Sequence, residues 1–400
     1  MKVCFITTSF PAYQGDIQSP FIYQLAKHLS MQKIDLTVVC PRYKKSRSNN
    51  EDMEGVHVQR FSYFPKVLQT LTEKGGIADF KRNPWSLFQL PFFLKAMTRK
   101  AWLASKDADI IHCQWALSGI AGVLVKKWRK KPLVISLRGE DLKALKSKLM
   151  RPVFKWIIKH ADWVTSNNEF HINQVKHMAK GVSVIRNGVD TTVFRIRPKQ
   201  RMRKKLNLPQ KKSLVLFVGW LVERKGVQYL LDAIPEVVQR HKEVAFLIIG
   251  EGNLYDILAQ KAEKNNVRQC VHFLGKKSQA QVAEYMAAAD IFVLPSLYEG
   301  MPNVVMEAFA SGLPVVATDV CGTAELVQHK VNGLLVRSEK SHELAQSILT
   351  LLKDKQLAVK YSKAALQTIT KQHLTWEKSA ELHKKLYKRI IEQYKKREVP

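Results

Sequence analysis

IFVLPSLYEGMPNVVMEAFASGLPVVATDVCGTAELV, residues 291–327, is the stretch whose reading decides the fold. Ile291 to Leu294 is a short apolar run, suited to a buried strand. The chain then turns through Pro295 to Gly300. Pro302 suits the first turn of a helix, where its missing N–H costs nothing. That helix is expected to run to about Ser311 and to stop at Gly312 with a left-handed cap. Leu313 to Thr318 reads as a second buried strand. The unit is strand, loop, helix, strand, with a Gly- and Glu-bearing loop at the carboxyl end of the first strand. In open α/β sheets, ligands bind at that end.

The chemistry follows from the placement. N–H groups around Gly300, Met301 and Asn303 are expected to face the loop and to favour a polyanion such as a pyrophosphate. Glu299 precedes the helix and Glu307 lies inside it; from Pro302 to Glu307 the rise is about 7–8 Å. Two carboxylates at different depths, with anion-binding amides nearby, suit a ligand with hydroxyls at both ends and phosphates between. A nucleotide sugar is such a ligand. Solvated glutamates on an ordinary strand–helix unit would explain either Glu singly, but not the whole string.

The stretch resembles the retaining family 4 glycosyltransferases (glycosyl transferases group 1), whose signature of a Glu, seven residues and a second Glu is met by Glu299 and Glu307. The resemblance implies an α/β chain of the GT-B fold, two Rossmann-like domains facing across a cleft. An acceptor-side domain is expected over 1–195, joined by a last helix at about 377–400. A nucleotide-sugar domain is expected over 196–376. It further implies retaining transfer of a hexosyl unit to a glycan or lipid-linked acceptor in cell-surface polysaccharide or glycolipid assembly. Glu299 would contact the donor sugar and Glu307 the ribose. Front-face displacement is the family expectation, with no metal and no cofactor beyond the donor, since no D-x-D stands beside the site.

Composition sets bounds on these expectations. Four hundred residues suffice for two domains with their own cores. No apolar run approaches the roughly 20 residues of a membrane helix, and the start, MKVCFITTSF, reads as a first strand rather than a secretory signal. Five scattered cysteines without a C-x-x-C pair indicate neither a disulfide framework nor a zinc site, and fit a reducing cytoplasm. The net charge of +31 is uneven: residues 1–200 carry 34 basic and 14 acidic side chains, residues 251–350 carry 8 and 11. The positive field therefore sits away from the glutamate signature. It favours an anionic membrane surface, at about 1 kcal/mol per nearby basic residue, over a nucleic acid; a solubility charge is the bland alternative. The motifs leave a non-catalytic sugar-nucleotide binder and a nucleic-acid binder as the competing classes.

In the N-terminal half, Lys2–Thr7, a loop over Ser9–Ser19, a helix over Phe21–Ser30 and a strand over Ile34–Cys40 make a Rossmann-like opening. Relatives carry Gly-Gly in this first loop, near donor phosphates and acceptor; here Gly15-Asp16 stands, and the role passes to Gly15. Residues 41–84 read as polar, basic and irregular, with Lys44, Lys45 and Arg47 clustered. Pro91 to Leu103 has helical spacing, with Phe92, Phe93, Ala96, Met97 and Leu103 on one side and Lys95 and Arg99 off it. This is either an interfacial helix or one packed on its own domain. After a strand at Asp109–His112 comes H-C-Q-W. Many relatives have H-x-H-W, whose second His faces the reacting sugar; Gln114 occupies that position and offers a hydrogen bond. Leu133–Leu137 leads into Arg138-Gly139-Glu140-Asp141, like the H/R-G-x-D of relatives. Asp141 is expected either to bond an acceptor hydroxyl or to cap a helix. Val164–Ser166 and Val182–Ile185 are the last strands before Asn187-Gly188-Val189-Asp190, a turn at the exit of the domain.

In the C-terminal half, strand Leu214–Val218 precedes G-W-L-V-E-R-K-G at 219–226. The family pattern G-R-L…K-G places a diphosphate-binding Lys at Lys225. Trp220 replaces the Arg, so Arg224 is expected to supply the second cation beside Gly219. Strand Val244–Ile249 ends in Gly250-Glu251-Gly252, whose backbone is expected near the nucleotide. Val271–Gly275 is a further strand. Residues 343–400 read as helical, with His373–Glu377 the return point and a basic, amphipathic tail from Ser379.

Overall fold

The computed structural model describes residues 1–16, 18–46, 48–65, 67–72 and 84–398. Of the irregular stretch expected over 41–84, residues 47, 66 and 73–83 lie outside that set, Arg47 of the basic cluster among them. Contacts divide the chain into two compact units. One holds Met1–Asn187 with everything described from Trp376 onward, the other Gly188–Thr375. The expected boundary lay at 195. Val189 and Phe194 instead pack into the second core, which draws the division back to Gly188.

The first unit is built on eight strands: β1 Lys2–Thr7, β2 Asp35–Pro41, β3 Asn50–Met53, β4 Val56–Phe61, β5 Ile110–Gln114, β6 Leu133–Leu137, β7 Trp163–Ser166 and β8 Val182–Val184. Their order is β3-β4-β2-β1-β5-β6-β7-β8. All pairs are parallel except β3 with β4. The β3–β4 hairpin falls in the stretch read as irregular. Its signal was the alternation in Val56-His57-Val58, whose valines are buried while His57 is exposed. Helices α1 Pro20–Met31 and α2 Pro84–Ala104 follow on in the same unit.

Helix α2 corrects the reading of 91–103. It starts earlier and carries Pro91 inside it. Phe93, Met97 and Ala101 are buried, but Phe92 and Leu103, assigned to the same face, are exposed. The i, i+4, i+8 row sets the buried stripe, and Phe92 lies one residue off it.

The second unit is a wholly parallel sheet of β9 Ser213–Val218, β10 Val244–Ile249, β11 Val271–Gly275, β12 Ile291–Leu294, β13 Val315–Thr318 and β14 Gly333–Val336. Its order is β11-β10-β9-β12-β13-β14. Strands β10, β12 and β13 are buried along their whole length, as near-continuous Val/Ile/Leu runs require when helices cover both faces. Helix Gln279–Ala288 shows the local logic: Ser278 accepts from the Gln281 amide and Gln281 answers in a full capping box. The last helix, Trp376–Glu398, belongs to the first unit, where Trp376, Ala380, Tyr387 and Ile390 enter the core beside α1 and β2.

Candidate active site

Each sheet reverses its winding once. In the second unit the chain runs outward from β9 through β10 to β11, then crosses to the other side of β9 and runs through β12, β13 and β14. The loops after β9 and β12 therefore diverge, which opens a crevice at the carboxyl ends of these strands. Gly219, Arg224 and Lys225 follow β9; Glu299, Gly300, Met301 and Asn303 follow β12. The sheet brings these two sets together.

Lys225 Nζ lies 2.5 Å from Glu299 Oε1. Both side chains are nearly enclosed, with Lys225 at 9% and Glu299 at 6% of full exposure. Ser296 Oγ donates to the same Glu299 oxygen at 2.7 Å. The backbones are joined as well: Leu297 N donates to the Arg224 carbonyl at 2.8 Å. The sequence reading gave Lys225 to phosphate and Glu299 to sugar as separate groups. In the folded chain they neutralise each other. Ser296, which orients the carboxylate, was missed; its only signal was its place three residues before Glu299 at a strand end.

Helix Asn303–Ala310 starts from Pro302, which sits at the N-cap in extended conformation rather than inside the first turn. Gly312 takes the left-handed conformation expected of it, with φ 73°. Met301 is buried, and its amide donates to nothing among the described residues. Glu307 keeps part of its surface accessible, yet its dense surroundings push its carboxyl up to about 7 by desolvation. Its side chain has no hydrogen-bond or ion-pair partner among the described residues.

The glycines interlock these loops. At Gly250, with φ 148°, a Cβ would lie 1.8 Å from the Gly219 carbonyl oxygen; at Gly322 it would lie 1.6 Å from that of Gly300. The loop after β10 is further tied to the loop after β9, where Leu221 N donates to Glu251 O at 2.9 Å. Gly252 packs against Leu221 in the same way. These glycines were expected to admit a nucleotide; what the fold demands of them is the approach of one loop backbone to another. Trp220 is exposed at the rim and Arg224 is half-buried.

The remaining candidates belong to the first unit, whose sheet reverses between β1 and β5. Gly15 is exposed in the loop after β1, a loop closed by Asp16 Oδ2 accepting from Ala12 N at 2.9 Å. Gln114 ends β5 and is fully buried. Its Oε1 accepts from Arg138 Nε at 2.8 Å, and its Nε2 lies 3.3 Å from His112 Nε2. The hydrogen bonds expected of Gln114 at the place of a sugar-facing His are made inside the unit: the polar ends of β5 and β6 face inward and take each other up. His112 is likewise internal, 2.6 Å from Tyr387 Oη on the last helix and 2.7 Å from Ser136 Oγ. Asp141 accepts from Arg138 N at 2.8 Å and Ala116 N at 3.1 Å, and burial pushes its carboxyl up to about 7. Its two oxygens hold the loop after β6 to the start of the segment after β5; neither accepts from a following helix amide, so the expected helix cap is not what they form. Among the described residues no three His, Cys, Asp or Glu side chains gather as a metal site would need, and no helix is long and apolar enough to cross a membrane.

Known proteins match this arrangement along almost the whole chain. The profile of glycosyl transferases group 1 matches residues 198–368, and that of glycosyltransferase family 4 matches residues 18–193. TuaC of Bacillus subtilis, a glycosyltransferase provisionally assigned by its name to teichuronic acid biosynthesis, is 30% identical over 372 residues, covering 87% of this chain and 88% of that one. The UDP-Gal:alpha-D-GlcNAc-diphosphoundecaprenol alpha-1,3-galactosyltransferase of Escherichia coli is 26% identical over 335 residues, 77% of this chain and 86% of that one. Among solved structures, sucrose-phosphate synthase from Thermosynechococcus elongatus superposes with a TM-score of 0.82 at 21% identity, over 98% of this chain and 100% of that one. The two Rossmann-like units are thus those of a GT-B fold. With each half matched by its own profile and a relative 30% identical over most of both lengths, the chain belongs to the group 1 glycosyltransferases.

Proposed function

We propose that this chain moves a hexosyl unit from a nucleotide-diphosphate sugar to a glycan or lipid-linked acceptor, with retention at the anomeric carbon, in the assembly of a cell-surface polysaccharide or glycolipid. The observation that carries the reading is the enclosed Lys225–Glu299 pair at the point where the second sheet reverses. Both charges are held ready at a strand end, and a diphosphate can draw the ammonium while a sugar hydroxyl takes its place on the carboxylate. In this reading Lys225 and Arg224 offset charge on the leaving diphosphate, Glu299 orients the donor hexose, and Glu307 accepts from the ribose. The backbone N–H groups around Gly300, Met301 and Asn303 receive phosphate oxygens, and Gly219, Gly250 and Gly252 shape the loops that do so. Asp141 and Gly15 serve the acceptor side, and Gln114 acts through Arg138. The proposal calls for no metal and no cofactor besides the donor. The names of TuaC and of the Escherichia coli galactosyltransferase, one a polymer-assembly enzyme and one acting on a lipid-linked sugar, support the choice of acceptor.

The reading includes work at the cytoplasmic face of a membrane. Trp85, Phe88 and Phe92 are exposed on α2, stacked or packed on one another and on Phe64, with Lys95 and Arg99 exposed beyond them. Such a surface suits the interface of an anionic bilayer. Flotation with phosphatidylglycerol vesicles should retain the wild type and release W85S/F88S/F92S; equal binding of the two would remove the membrane from the proposal.

The donor is tested by thermal shift against nucleoside diphosphates and their hexoses. A donor at a hundredfold excess over its Kd adds about 2.7 kcal/mol of apparent stability. E299Q should lose most of the gain from the sugar and keep that from the diphosphate. No response to any nucleotide in the wild type would overturn the assignment.

A further inference from the structure

We infer that the first unit binds the phosphate group of a small ligand in a cleft at the amino-terminal edge of its sheet, where the turn before β8 meets the last helix. The site goes beyond the glycosyl-transfer reading and does not rest on it. The residues of that reading in this unit, Gly15, Gln114 and Asp141, lie at or after the carboxyl ends of strands. This cleft opens at the opposite edge, where β7 begins. It has a volume of about 250 Å³ and is lined by Asp162 and Trp163 at the start of β7, by Lys180 just before β8, and by Arg389 and Gln393 on the last helix. The Trp163 indole is fixed in place. Its Nε1 donates to Ser183 Oγ at 2.9 Å. Gly181, next to Lys180, presses so closely on the ring that a Cβ there would lie 2.4 Å from Cε3. The Arg389 guanidinium lies 4.9 Å from the centre of the same ring. That contact orients the fork without neutralising its charge.

The charges around the cleft do not balance. Lys126, beside it, donates to Asp162 Oδ2 at 2.6 Å, and Leu133 N donates to the same oxygen at 2.8 Å. Lys180 reaches the other oxygen only at 3.9 Å, beyond hydrogen-bond distance. Asp162 thus answers one of three cations. Arg389 has no hydrogen bond and no ion pair among the described residues, and the Gln393 amide makes no hydrogen bond among them either. Cations gathered in a hollow raise the local potential and draw an anion. A fork and a point charge together suit a phosphate, with three acceptor oxygens and nearly two charges, better than a carboxylate. Size narrows the class further. At roughly 30 Å³ per water, the cleft has room for about eight water molecules. That suffices for a phosphate and a few carbons, whose hydroxyls the Gln393 amide can meet, and falls below the ~300 Å³ at which pockets for larger ligands begin. A nucleotide or a nucleic-acid strand is too large. An anion held by Lys180 and Arg389 ties the turn before β8 to the last helix, which completes the unit's core through Tyr387 and Ile390. Binding is thereby linked to the docking of that helix.

The test uses the full chain, with inorganic phosphate, glycerol 3-phosphate and acetate as probes in chloride at matched ionic strength, read by calorimetric titration. Both phosphates should bind the wild type at least tenfold more tightly than acetate does, and the tighter of the two tells a free phosphate from a monoester as the ligand. K180Q/R389Q should bind either one at least tenfold more weakly while melting as the wild type does without ligand, since both side chains are exposed. R389Q alone should bind at least threefold more weakly, and it decides the matter if the double variant does not fold. K225M/E299Q, altered in the other unit, should keep the response that depends on Lys180 and Arg389. Hydrogen exchange locates the anion: phosphate should slow the amides of residues 385–396 in the wild type and leave those of K180Q/R389Q unchanged. Phosphate binding equal in the wild type and in K180Q/R389Q or R389Q would overturn the inference. So would acetate binding as tightly as phosphate, a response lost in K225M/E299Q, or unchanged exchange over 385–396 while phosphate binds.

Discussion

Glu299 and Lys225 are each costly to bury alone, and each is tolerable because of the other. Removing one partner strands the second in an enclosed place. K225M is therefore expected to lower stability by about 3 kcal/mol, and K225M/E299Q to recover a good part of that loss, read from denaturant midpoints. An additive double variant would mean that the two charges are not coupled. Glu307 behaves oppositely, its side chain having no partner among the described residues. Its carboxyl is held at about 7 against an ordinary 4.5. Between those values the unfolded chain gives up the proton before the folded chain does, so stability falls as pH rises through the window. E307Q removes this fall: equal to wild type at pH 4, it should be more stable by about 1–2 kcal/mol at pH 8, after allowance for partial exposure. If Glu307 takes a ribose hydroxyl, the same variant weakens nucleotide binding while it strengthens the fold.

At the scale of elements, the last helix is tied to β5 through polar groups as well as apolar ones. His112 Nδ1 meets Tyr387 Oη, and the His383 ring stacks on that of His112 with centroids 5.7 Å apart. Burial lowers both imidazoles, His383 to about 4 from an ordinary 6.5. The unfolded chain takes up these protons first as pH falls. The stability they permit is complete above pH 6.5 and is lost as the pH drops towards 4. H383F should flatten that acid limb, whereas Y387F should lower stability by about 1–3 kcal/mol at every pH by leaving a buried ring nitrogen unpaired. An H383F profile that parallels wild type would show that other groups govern the acid limb. None of this coupling could be read from H-C-Q-W. The sequence placed a strand there, but the partner of His112 lies 275 positions away.

Across the whole molecule, the two units differ in how they are closed along the chain. The second is continuous from Gly188 to Thr375 and holds its own apolar cluster. Expressed alone, residues 188–375 should melt cooperatively and keep any nucleotide-diphosphate response. The first unit is discontinuous: a chain cut after Asn187 lacks Trp376, Ala380, Tyr387 and Ile390, which complete one of its clusters. Each large side chain lost from a core forfeits about 1.5–3 kcal/mol, so the fragment 1–187 should fail to give a sharp transition until residues 376–400 are supplied. A cooperative melt of 1–187 alone would show that the last helix is dispensable. The boundary itself illustrates a limit of sequence reading. The N-G turn at Asn187 is plain in the sequence, but which core claims Val189 and Phe194 is settled by packing alone.

The strand–loop–helix–strand rhythm, the glutamate pair and the left-handed stop at Gly312 were all determined by residues acting on their near neighbours. Period, turn chemistry and missing amide hydrogens operate within a few positions, so a linear reading suffices for them. Charge pairing does not work that way. Lys225 found Glu299 across 74 residues, and Arg138 found Gln114 and Asn187, only because parallel strands carried their ends to one edge of a sheet. The Phe92 reversal and the inward turn of Gln114 have the same origin. A side chain's face is local, but what fills the space opposite it is decided by the rest of the chain.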